Sequence, residues 1–288
     1  MKLTDFSELY LPQINSFLKE QLECTINDHK FSEIMSYSVL AGGKRLRPLL
    51  FLATLEILSH PISEKEIKIA CGIELIHTYS LIHDDLPAMD NDDYRRGKLT
   101  SHKKWGEAEA ILAGDALLPL GIQWIAEASN SYELIKVITR AIGPNGMAGG
   151  QYMDIDSTNN LSYKRNETFI DKMEFLKTGC LIVASVQMAA KYANSSDKVQ
   201  INLLHFAEAF GRAYQIYDDI VDIMQTSVQA GKKTHKDADN GKNNTLTMLG
   251  LEKSQAELSD LIARGKVAIK DIDNQLLSDF FDLYRKAL

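Results

Sequence analysis

The chain is poor in cysteine, proline and glycine, and this scarcity excludes several classes of protein. Among 288 residues there are 3 Cys, 6 Pro and 17 Gly, which is too little Gly and Pro for a collagen-like or low-complexity chain. The three cysteines, Cys24, Cys71 and Cys180, are far apart and form no CxxC pair, so neither a disulfide framework nor a zinc site is expected. Such cysteines are typical of reduced thiols in the cytoplasm.

An excess of basic charge and a long apolar run are also missing. The 32 Lys and Arg residues are outnumbered by 39 Asp and Glu, for a net charge of -7, and nucleic acid is not an expected partner because phosphate backbones need a basic surface. The most apolar stretch, residues 181–190, is interrupted by Ser185 and Gln187 and is shorter than the roughly 20 residues of a membrane span. The N-terminus has no apolar signal-peptide segment. We expect a cytoplasmic protein without a membrane span.

The apolar residues recur at the spacing of α-helices. Leu46, Leu49, Leu50, Ala53 and Ile57 follow the i, i+3, i+4, i+7, i+11 pattern of one buried helix face. Alternation of period two is rare, and turn-forming clusters divide the chain into about ten helices. No linker and no repeat is apparent. The sequence therefore predicts a single all-α domain over residues 1–288.

Aspartate is clustered at two places, each attached to an apolar helical stretch. The first cluster comprises Asp84, Asp85, Asp90, Asp92 and Asp93, and the second comprises Asp218, Asp219 and Asp222. Carboxylates this close repel one another unless a cation compensates. A solvated acidic face is the ordinary explanation of one such run, but two runs next to apolar helices favour Mg²⁺, which takes carboxylates, waters and substrate phosphates as ligands. A calcium loop at residues 237–248 fails, because its glycine and its twelfth position do not match.

Basic residues accompany these clusters at several places. They are the run Gly42-Gly43-Lys44-Arg45-Leu46-Arg47-Pro48, the pair Arg95-Arg96, Lys177, and the loop lysines Lys232, Lys233 and Lys242. Taken singly, each is more often a solvated surface charge, but guanidinium and ammonium groups together suit phosphate oxygens. The chain has no GxxxxGK[ST] or GxGxxG sequence, so a nucleotide loop is not the source of phosphate binding.

Together these motifs resemble the trans-isoprenyl diphosphate synthases. The resemblance rests on GGKRLRP, the DDxxxxD motif at residues 84–90 followed by Arg95-Arg96-Gly97, and the DDxxD motif at residues 218–222. It continues through residues 149–154, Lys177-Thr178 and Gly241-Lys242, in the family's order over residues 40–250. The first motif has four residues between its aspartates, and this spacing is most similar to that of the bacterial farnesyl diphosphate synthases. The resemblance implies an all-α isoprenoid synthase fold, with ten or more helices around a deep central cavity, and a homodimer.

The resemblance also implies the roles of individual residues. The metal ligands would be Asp84, Asp85, Asp90, Asp218, Asp219 and Asp222, holding three Mg²⁺ ions, for which Mn²⁺ substitutes. The allylic diphosphate (dimethylallyl or geranyl diphosphate) would contact Arg95, Lys177, Lys232, Gln151 and Lys242. Isopentenyl diphosphate would contact Lys44, Arg47, His77 and Arg96 without metal. The catalytic set would be Asp84, Asp90, Lys177, Thr178, Gln215 and Asp218, with Thr178 and Gln215 stabilising the allylic carbocation.

Product length is assigned to the residues just before the first motif. In the resembled family a bulky side chain there forms the floor of the cavity, and this chain has Tyr79 with the small Ser80 beside it. We therefore expect the C15 product, farnesyl diphosphate, although Tyr79 could also be an ordinary aromatic core residue. The alternatives are a C20 geranylgeranyl diphosphate synthase, a terpene cyclase and a non-catalytic subunit. The last two fit poorly, since both aspartate motifs and GGKRLRP are present.

Overall fold

The structure is a computed structural model that describes residues 1–159, 167–224, 245–273 and 275–288. The longer helices are α1 (Leu3–Thr25), α2 (His29–Val39), α3 (Leu46–Ile57), α4 (Glu64–Asp84), α6 (Glu107–Ser129), α7 (Tyr132–Ile142), α8 (Met147–Asn159), α10 (Cys180–Tyr192), α11 (Asp197–Met224) and α13 (Leu251–Ile269). Shorter segments are α5 (Ser101–Trp105), α9 (Glu167–Glu174), α12 (Thr245–Leu249) and α14 (Leu276–Asp279). A π-helical stretch, Phe175–Gly179, joins α9 to α10, and a 3₁₀ stretch, Phe280–Ala287, ends the chain. The predicted all-α class is confirmed.

Strands are present only as a two-stranded hairpin within the described residues. β1 (Tyr94–Arg95) pairs antiparallel with β2 (Lys98–Leu99), with Arg95 opposite Lys98. Arg96 and Gly97 form the turn, and both have positive φ angles, 54° and 76°. The sequence reading had no need of strands, because two residues per strand are too few to show an alternating pattern. The hairpin matters because it carries two of the predicted phosphate-binding arginines.

Helix α4 is the central element, since it is buried over most of its surface and ends at the first aspartate motif. Its start is a capping box, in which Ser63 and Glu66 satisfy each other's backbone N–H groups. It packs closely along α6, where a Cβ on Gly72 would lie only 2.7 Å from the carbonyl oxygen of Gly121. Glycine at this crossing lets the two backbones approach, and the crossing fixes where the end of α4 points.

The C-terminal segment closes the core beside α11. Phe206 and Phe210 stack on α11 and contact the rings of Phe281 and Tyr284. The Tyr284 hydroxyl, fully buried, donates to the carbonyl of Phe210 at 3.0 Å. Because a buried hydroxyl is costly unless it is hydrogen-bonded, this contact pins the end of the chain against the helix that carries the second aspartate motif.

Two helical stretches in the described residues reach the length and apolarity of a membrane span. They are Glu107–Ser129 and Glu167–Tyr192, each with a mean hydropathy of 1.2 over its most apolar window. The apolar run at residues 181–190 is part of the second stretch, which continues for 26 residues. In the fold, 44% and 67% of these windows are buried inside the protein, as is usual for core helices, so length and composition alone carry little weight here.

Candidate functional site

The first aspartate motif forms a tight loop at the end of α4. The amide of Asp90 donates to the carbonyl of Asp84 at 2.9 Å, and the amide of Asp92 donates to the carbonyl of Asp85 at 3.2 Å. Asn91 adopts a left-handed conformation, with φ of 50°, which asparagine tolerates better than most residues. The loop thereby turns back on the helix end and brings the aspartates of the motif together.

The carboxylates of this loop are held by different partners. Asp85 is buried, and both of its oxygens accept from Arg95 Nε, at 2.8 and 2.9 Å. Asp84 accepts a hydrogen bond from the amide of Gln151 on α8. Burial raises the pKa of Asp84 to about 6, Asp90 adds to the rise, and Lys177 opposes it. A carboxylate in this situation gains from any cation that enters the loop.

Lys177 approaches the same loop from the π-helical stretch. Its Nζ contacts Asp154 Oδ2 on α8 at 2.6 Å. Burial alone would lower the pKa of Lys177, but Asp154, Asp84 and Asp90 together outweigh burial and raise it, so the ammonium stays charged. A π-helical bulge inside a helix is frequent at functional sites, and here it displaces Lys177 toward α8. Thr178 follows in the same bulge.

Glycine on α8 permits this approach. A Cβ on Gly150 would lie 2.7 Å from the Leu176 carbonyl carbon and 2.7 Å from Lys177 Cα. The backbones of α8 and the bulge are therefore in direct contact, and Gln151 and Asp154 reach Asp84 and Lys177 from one helix. The Gln151 amide donates to Asp84, and its contact with the allylic diphosphate stays a prediction.

The second aspartate motif lies on the last turns of α11. Asp218 is exposed, whereas Asp219 is buried and accepts from Gln215 Nε2, one turn earlier, at 3.0 Å. Burial and the neighbouring Asp218 raise the pKa of Tyr214. Gln215, predicted to stabilise a carbocation, is thus engaged with a carboxylate of the motif. Lys232 and Lys242, predicted to bind the allylic diphosphate, lie outside the described residues.

The described residues contain no group of three or more Asp, Glu, His or Cys side chains already arranged around a common metal position. Asp85 pairs with Arg95, and Asp84 accepts a hydrogen bond from Gln151. Because the two carboxylates repel each other, these separate partners reduce the repulsion between them. The donor set still fits a hard divalent cation, because it consists of carboxylate oxygens, one of them with a pKa raised to about 6 by burial. The two motifs as Mg²⁺ ligands stay a prediction.

A second feature is a cavity of about 320 Å³ walled by cations. Its wall is formed by residues 43–47, Glu74, His77, Arg95, Arg96, Tyr214 and Asp218. All four residues predicted to bind isopentenyl diphosphate, Lys44, Arg47, His77 and Arg96, face this one space. The family resemblance therefore grouped residues up to 52 positions apart, and the structure places them around one cavity.

Arg47 is the side chain of the cavity that most clearly indicates an anion site. It is 8% exposed, and its Nε has no hydrogen-bond partner among the described residues. Burial lowers its pKa, as does Arg96, while Tyr214 and Glu74 oppose the decrease. A buried guanidinium N–H without an acceptor costs free energy, and an anion in the cavity would supply the acceptor.

The other cavity residues complete a site for an anion. Burial and the surrounding arginines, Arg47 foremost, hold the pKa of His77 well below its ordinary value, so the imidazole is neutral and can donate one N–H. Lys44 lies over the ring of Tyr217, 5.5 Å from its centroid, which ties the loop to α11. Arg96 donates to the carbonyl of Gly42 and lies flat against Gly43, where a Cβ would be 2.7 Å from the guanidinium carbon.

Tyr79, the predicted floor residue, is half-buried on α4, one turn before the aspartates. Its ring meets His83 edge-on, with centroids 5.6 Å apart. Burial, with Asp84, raises its pKa. Ser80 turns back to donate to the His77 carbonyl at 2.8 Å. Both positions are consistent with a wall near the aspartates, and their effect on product length stays a prediction.

Three residues that the sequence reasoning did not place in the site belong to it. Asp154 holds Lys177, and Glu74 and Arg45 form a buried ion pair at 2.7 Å at the edge of the cavity. Arg45 could have been found, since it lies inside GGKRLRP, and Glu74 lies one helical turn before His77 on α4. The requirement that a buried Arg45 have a carboxylate partner is the signal that could have identified Glu74.

Comparison with known proteins gives concordant matches over most of the chain. The family model described as polyprenyl synthetase matches residues 28–279. The chain is 41% identical to a farnesyl diphosphate synthase of Micrococcus luteus over 247 residues, 84% of each protein. It is 37% identical to a geranylgeranyl diphosphate synthase of Cyanophora paradoxa over 287 residues, 95% of this chain and 94% of the relative. A Helicobacter pylori geranyltransferase, solved with magnesium and isoprenyl diphosphate, superposes with a TM-score of 0.81 at 31% identity over 98% of this chain and 95% of that one.

Proposed function

Because the chain belongs to the polyprenyl synthetase family, we propose that it is a prenyltransferase that joins isopentenyl diphosphate head-to-tail to dimethylallyl and then geranyl diphosphate. The product is (2E,6E)-farnesyl diphosphate, so the enzyme is a farnesyl diphosphate synthase, or geranyltranstransferase, with dimethylallyltranstransferase activity as its first step. The observation that carries the proposal is the cation-walled cavity beside two aspartate motifs, in which Arg47 Nε has no hydrogen-bond partner in the described part of the chain.

The two substrates take different sides of the site. The allylic diphosphate lies at the aspartate motifs, where Asp84, Asp85, Asp90, Asp218, Asp219 and Asp222 would hold three Mg²⁺ ions, or Mn²⁺ in their place. Bound Mg²⁺ would neutralise the charge that develops on the departing diphosphate. Lys177 and Arg95 stay charged beside these motifs and stabilise the same oxygens. The Lys232 and Lys242 contacts are proposed from the resemblance alone.

The cation cavity takes isopentenyl diphosphate without metal. Lys44, Arg47 and Arg96 supply the charge, and neutral His77 donates one N–H. Breaking the allylic C–O bond leaves a carbocation, which Thr178 and Gln215 shield with their oxygen dipoles. The isopentenyl double bond attacks it, and the departed diphosphate accepts the proton that is lost. The apolar core around the site excludes water that would otherwise capture the cation.

Product length is the finer part of the proposal. Tyr79, half-buried on α4, is proposed to stop the growing chain at C15. A specific observation favours the C20 alternative, because a relative of 37% identity over 95% of this chain is named a geranylgeranyl diphosphate synthase. Chromatography of products formed from dimethylallyl diphosphate, isopentenyl diphosphate and Mg²⁺ decides between them. A C15 product supports the proposal, a C20 product supports the alternative, and no product at all refutes the prenyltransferase function.

We also propose that the enzyme is a cytoplasmic homodimer. In support, α6 leaves Ile111 and Leu112 exposed, at 41% and 57%, and exposed apolar residues of this size are frequent at subunit contacts. Sedimentation of the purified protein tests the dimer, and a monomer at micromolar concentration would contradict it.

A further inference from the structure

A buried ion pair lies directly behind the isopentenyl side of the site. Arg45 Nη1 contacts Glu74 Oε1 at 2.7 Å, and the two residues are 3% and 1% exposed. Arg45 also donates from Nη2 to the carbonyl of Val39 at 2.7 Å and from Nε to Asn15 Oδ1 at 3.0 Å. One guanidinium thereby joins α1, the end of α2 and α4.

The backbone of Arg45 shows that this arrangement is imposed. Its φ is 48°, a left-handed conformation that costs a non-glycine residue free energy. The three hydrogen bonds of its side chain hold the residue there. Since Lys44 precedes Arg45 directly and Arg47 follows two residues later, the conformation of Arg45 sets where both cations point.

The pair also determines which cations are left for a ligand. Glu74 lines the same cavity as Arg47 and Arg96, and a buried carboxylate there would attract either. Among the described residues Glu74 forms its ion pair with Arg45 alone. Arg96 donates to a backbone carbonyl, and Arg47 Nε has no partner in the described part of the chain. Arg45 thus occupies the buried carboxylate of the cavity wall, which would otherwise compete with phosphate.

We propose that Arg45 and Glu74 are positioning residues for isopentenyl diphosphate. Their buried pair fixes the loop that presents Lys44 and Arg47, and it keeps Glu74 from pairing with the cationic side chains that bind the diphosphate. The inference rests on the proposed function, since it names the substrate of that site. Neither residue is a catalytic residue, because neither has to touch substrate.

Glu74→Gln gives a test in which two explanations predict opposite signs. If Glu74 only adds negative charge to the cavity, its removal strengthens binding of an anion, and KM for isopentenyl diphosphate falls. If it anchors Arg45, the loop loosens, and this KM rises by about tenfold to a hundredfold, the range for misplacing a binding group by up to about 1 Å. The KM for dimethylallyl diphosphate stays within twofold, because Lys177 and Asp84 are held by Asp154 and Gln151 of α8 and not by the pair.

Steady-state kinetics with each substrate varied in turn measures these changes, with circular dichroism as the check on folding. A buried unpaired charge destabilises a protein, so the double variant Arg45→Met with Glu74→Gln, which buries no charge, accompanies the single one. Asn15→Ala loosens Arg45 at an exposed position and is expected to raise the same KM by a smaller factor. Leu134→Ala on α7, 1% exposed and outside the cavity, is the control for lost stability alone.

The outcomes separate this inference from the proposed function. A raised KM for isopentenyl diphosphate in the Glu74→Gln or the double variant, with unchanged KM in Leu134→Ala, supports the positioning role. The positioning role is overturned if KM for isopentenyl diphosphate stays within twofold of wild type in any folded variant of the pair. It is also overturned if KM rises equally for both substrates, or if KM for isopentenyl diphosphate falls. If Asn15→Ala is the only variant that folds, an unchanged KM there overturns it as well. Wild-type protein that turns over neither substrate would instead refute the proposed function.

Discussion

Gly150→Ala tests whether backbone contact between α8 and the π-helical stretch sets the geometry of the allylic side. A Cβ at this position would lie 2.7 Å from the Leu176 carbonyl carbon and from Lys177 Cα. An ordinary Cβ contact needs 3.4 Å or more, and backbone atoms cannot rotate away as a side chain can. The backbone nitrogen of Lys177 is closer still, so the two segments must move apart by more than about 0.7 Å.

The displacement acts on contacts that meet at Lys177 and Asp84. Gln151 is adjacent to Gly150, and Asp154 lies one turn further, so the hydrogen bond to Asp84 and the 2.6 Å contact to Lys177 both stretch. Overpacking of this kind costs about 1–3 kcal/mol, which lowers Tm by roughly 2–10 °C in a chain of this size. A shift of about 1 Å among catalytic groups costs about a hundredfold in rate. We expect kcat to fall by that factor.

Thermal unfolding and single-turnover kinetics with saturating substrates measure the two effects separately. Gly265→Ala is the matched control, because its Cβ would press on the ring of Phe281, 3.0 Å from Cε2, in the C-terminal half of the fold. It is expected to lower Tm similarly and to leave kcat within about twofold. The reasoning is refuted if Gly150→Ala keeps wild-type kcat, or if Gly265→Ala loses as much.

Three further predictions concern other parts of the molecule. Tyr79→Ala should lengthen the product beyond C15 by chromatography, and an unchanged product would remove Tyr79 from the cavity floor. Gly43→Ala, at φ of 122° and against Arg96, should raise KM for isopentenyl diphosphate at least about tenfold; an unchanged KM contradicts the close packing. Burial alone would raise the pKa of Glu66, but hydrogen bonds from Ser63 and Tyr192 hold it below 4.5. Its stabilising effect is therefore present above pH 4.5 and is lost as pH falls through the lowered native pKa, and Glu66→Gln should flatten the dependence of Tm on pH there.

The helical class could be predicted from local signals in the sequence, whereas the isopentenyl diphosphate residues were assigned through the family resemblance of short motifs. The 3.6-residue spacing of apolar residues needs only one helix to be visible, and GGKRLRP with Arg96 and His77 names residue types that suit phosphate. These residues line one cavity, and their binding of isopentenyl diphosphate stays a prediction. Periodicity also gave about ten helices, whereas the described residues contain fourteen α-helical segments, because segments of four or five residues are too short to show a period.

What the sequence could not predict depends on contacts between distant segments. Each strand of the hairpin at residues 94–99 is only two residues long, and the π-helical bulge at Lys177 has no characteristic sequence pattern. Asp154 as the partner of Lys177 follows from the approach of α8 across Gly150. The pairing of Arg45 with Glu74 requires the crossing of α3 and α4 to be known. Such contacts are visible only once the helices are packed.

The net charge of -7 conceals a separation of charge that would let an acidic chain bind anions. Five cations line or border the cavity, but two of them are already used. Arg45 is paired with Glu74 and Arg95 with Asp85. The carboxylate of each pair is buried, and leaving it unpaired would be costly. Releasing either arginine to a ligand would therefore cost free energy.

The remaining cations, Lys44, Arg47 and Arg96, form no ion pair among the described residues. Their three charges approximately match the two to three negative charges of a diphosphate monoester at neutral pH. An anion of that charge can therefore bind here without metal, whereas one at the aspartate motifs first requires divalent cations to reverse the local sign. We therefore expect added Mg²⁺ to be required for diphosphate binding at the motifs and not for diphosphate binding in the cavity, and isothermal titration with and without Mg²⁺ measures the difference.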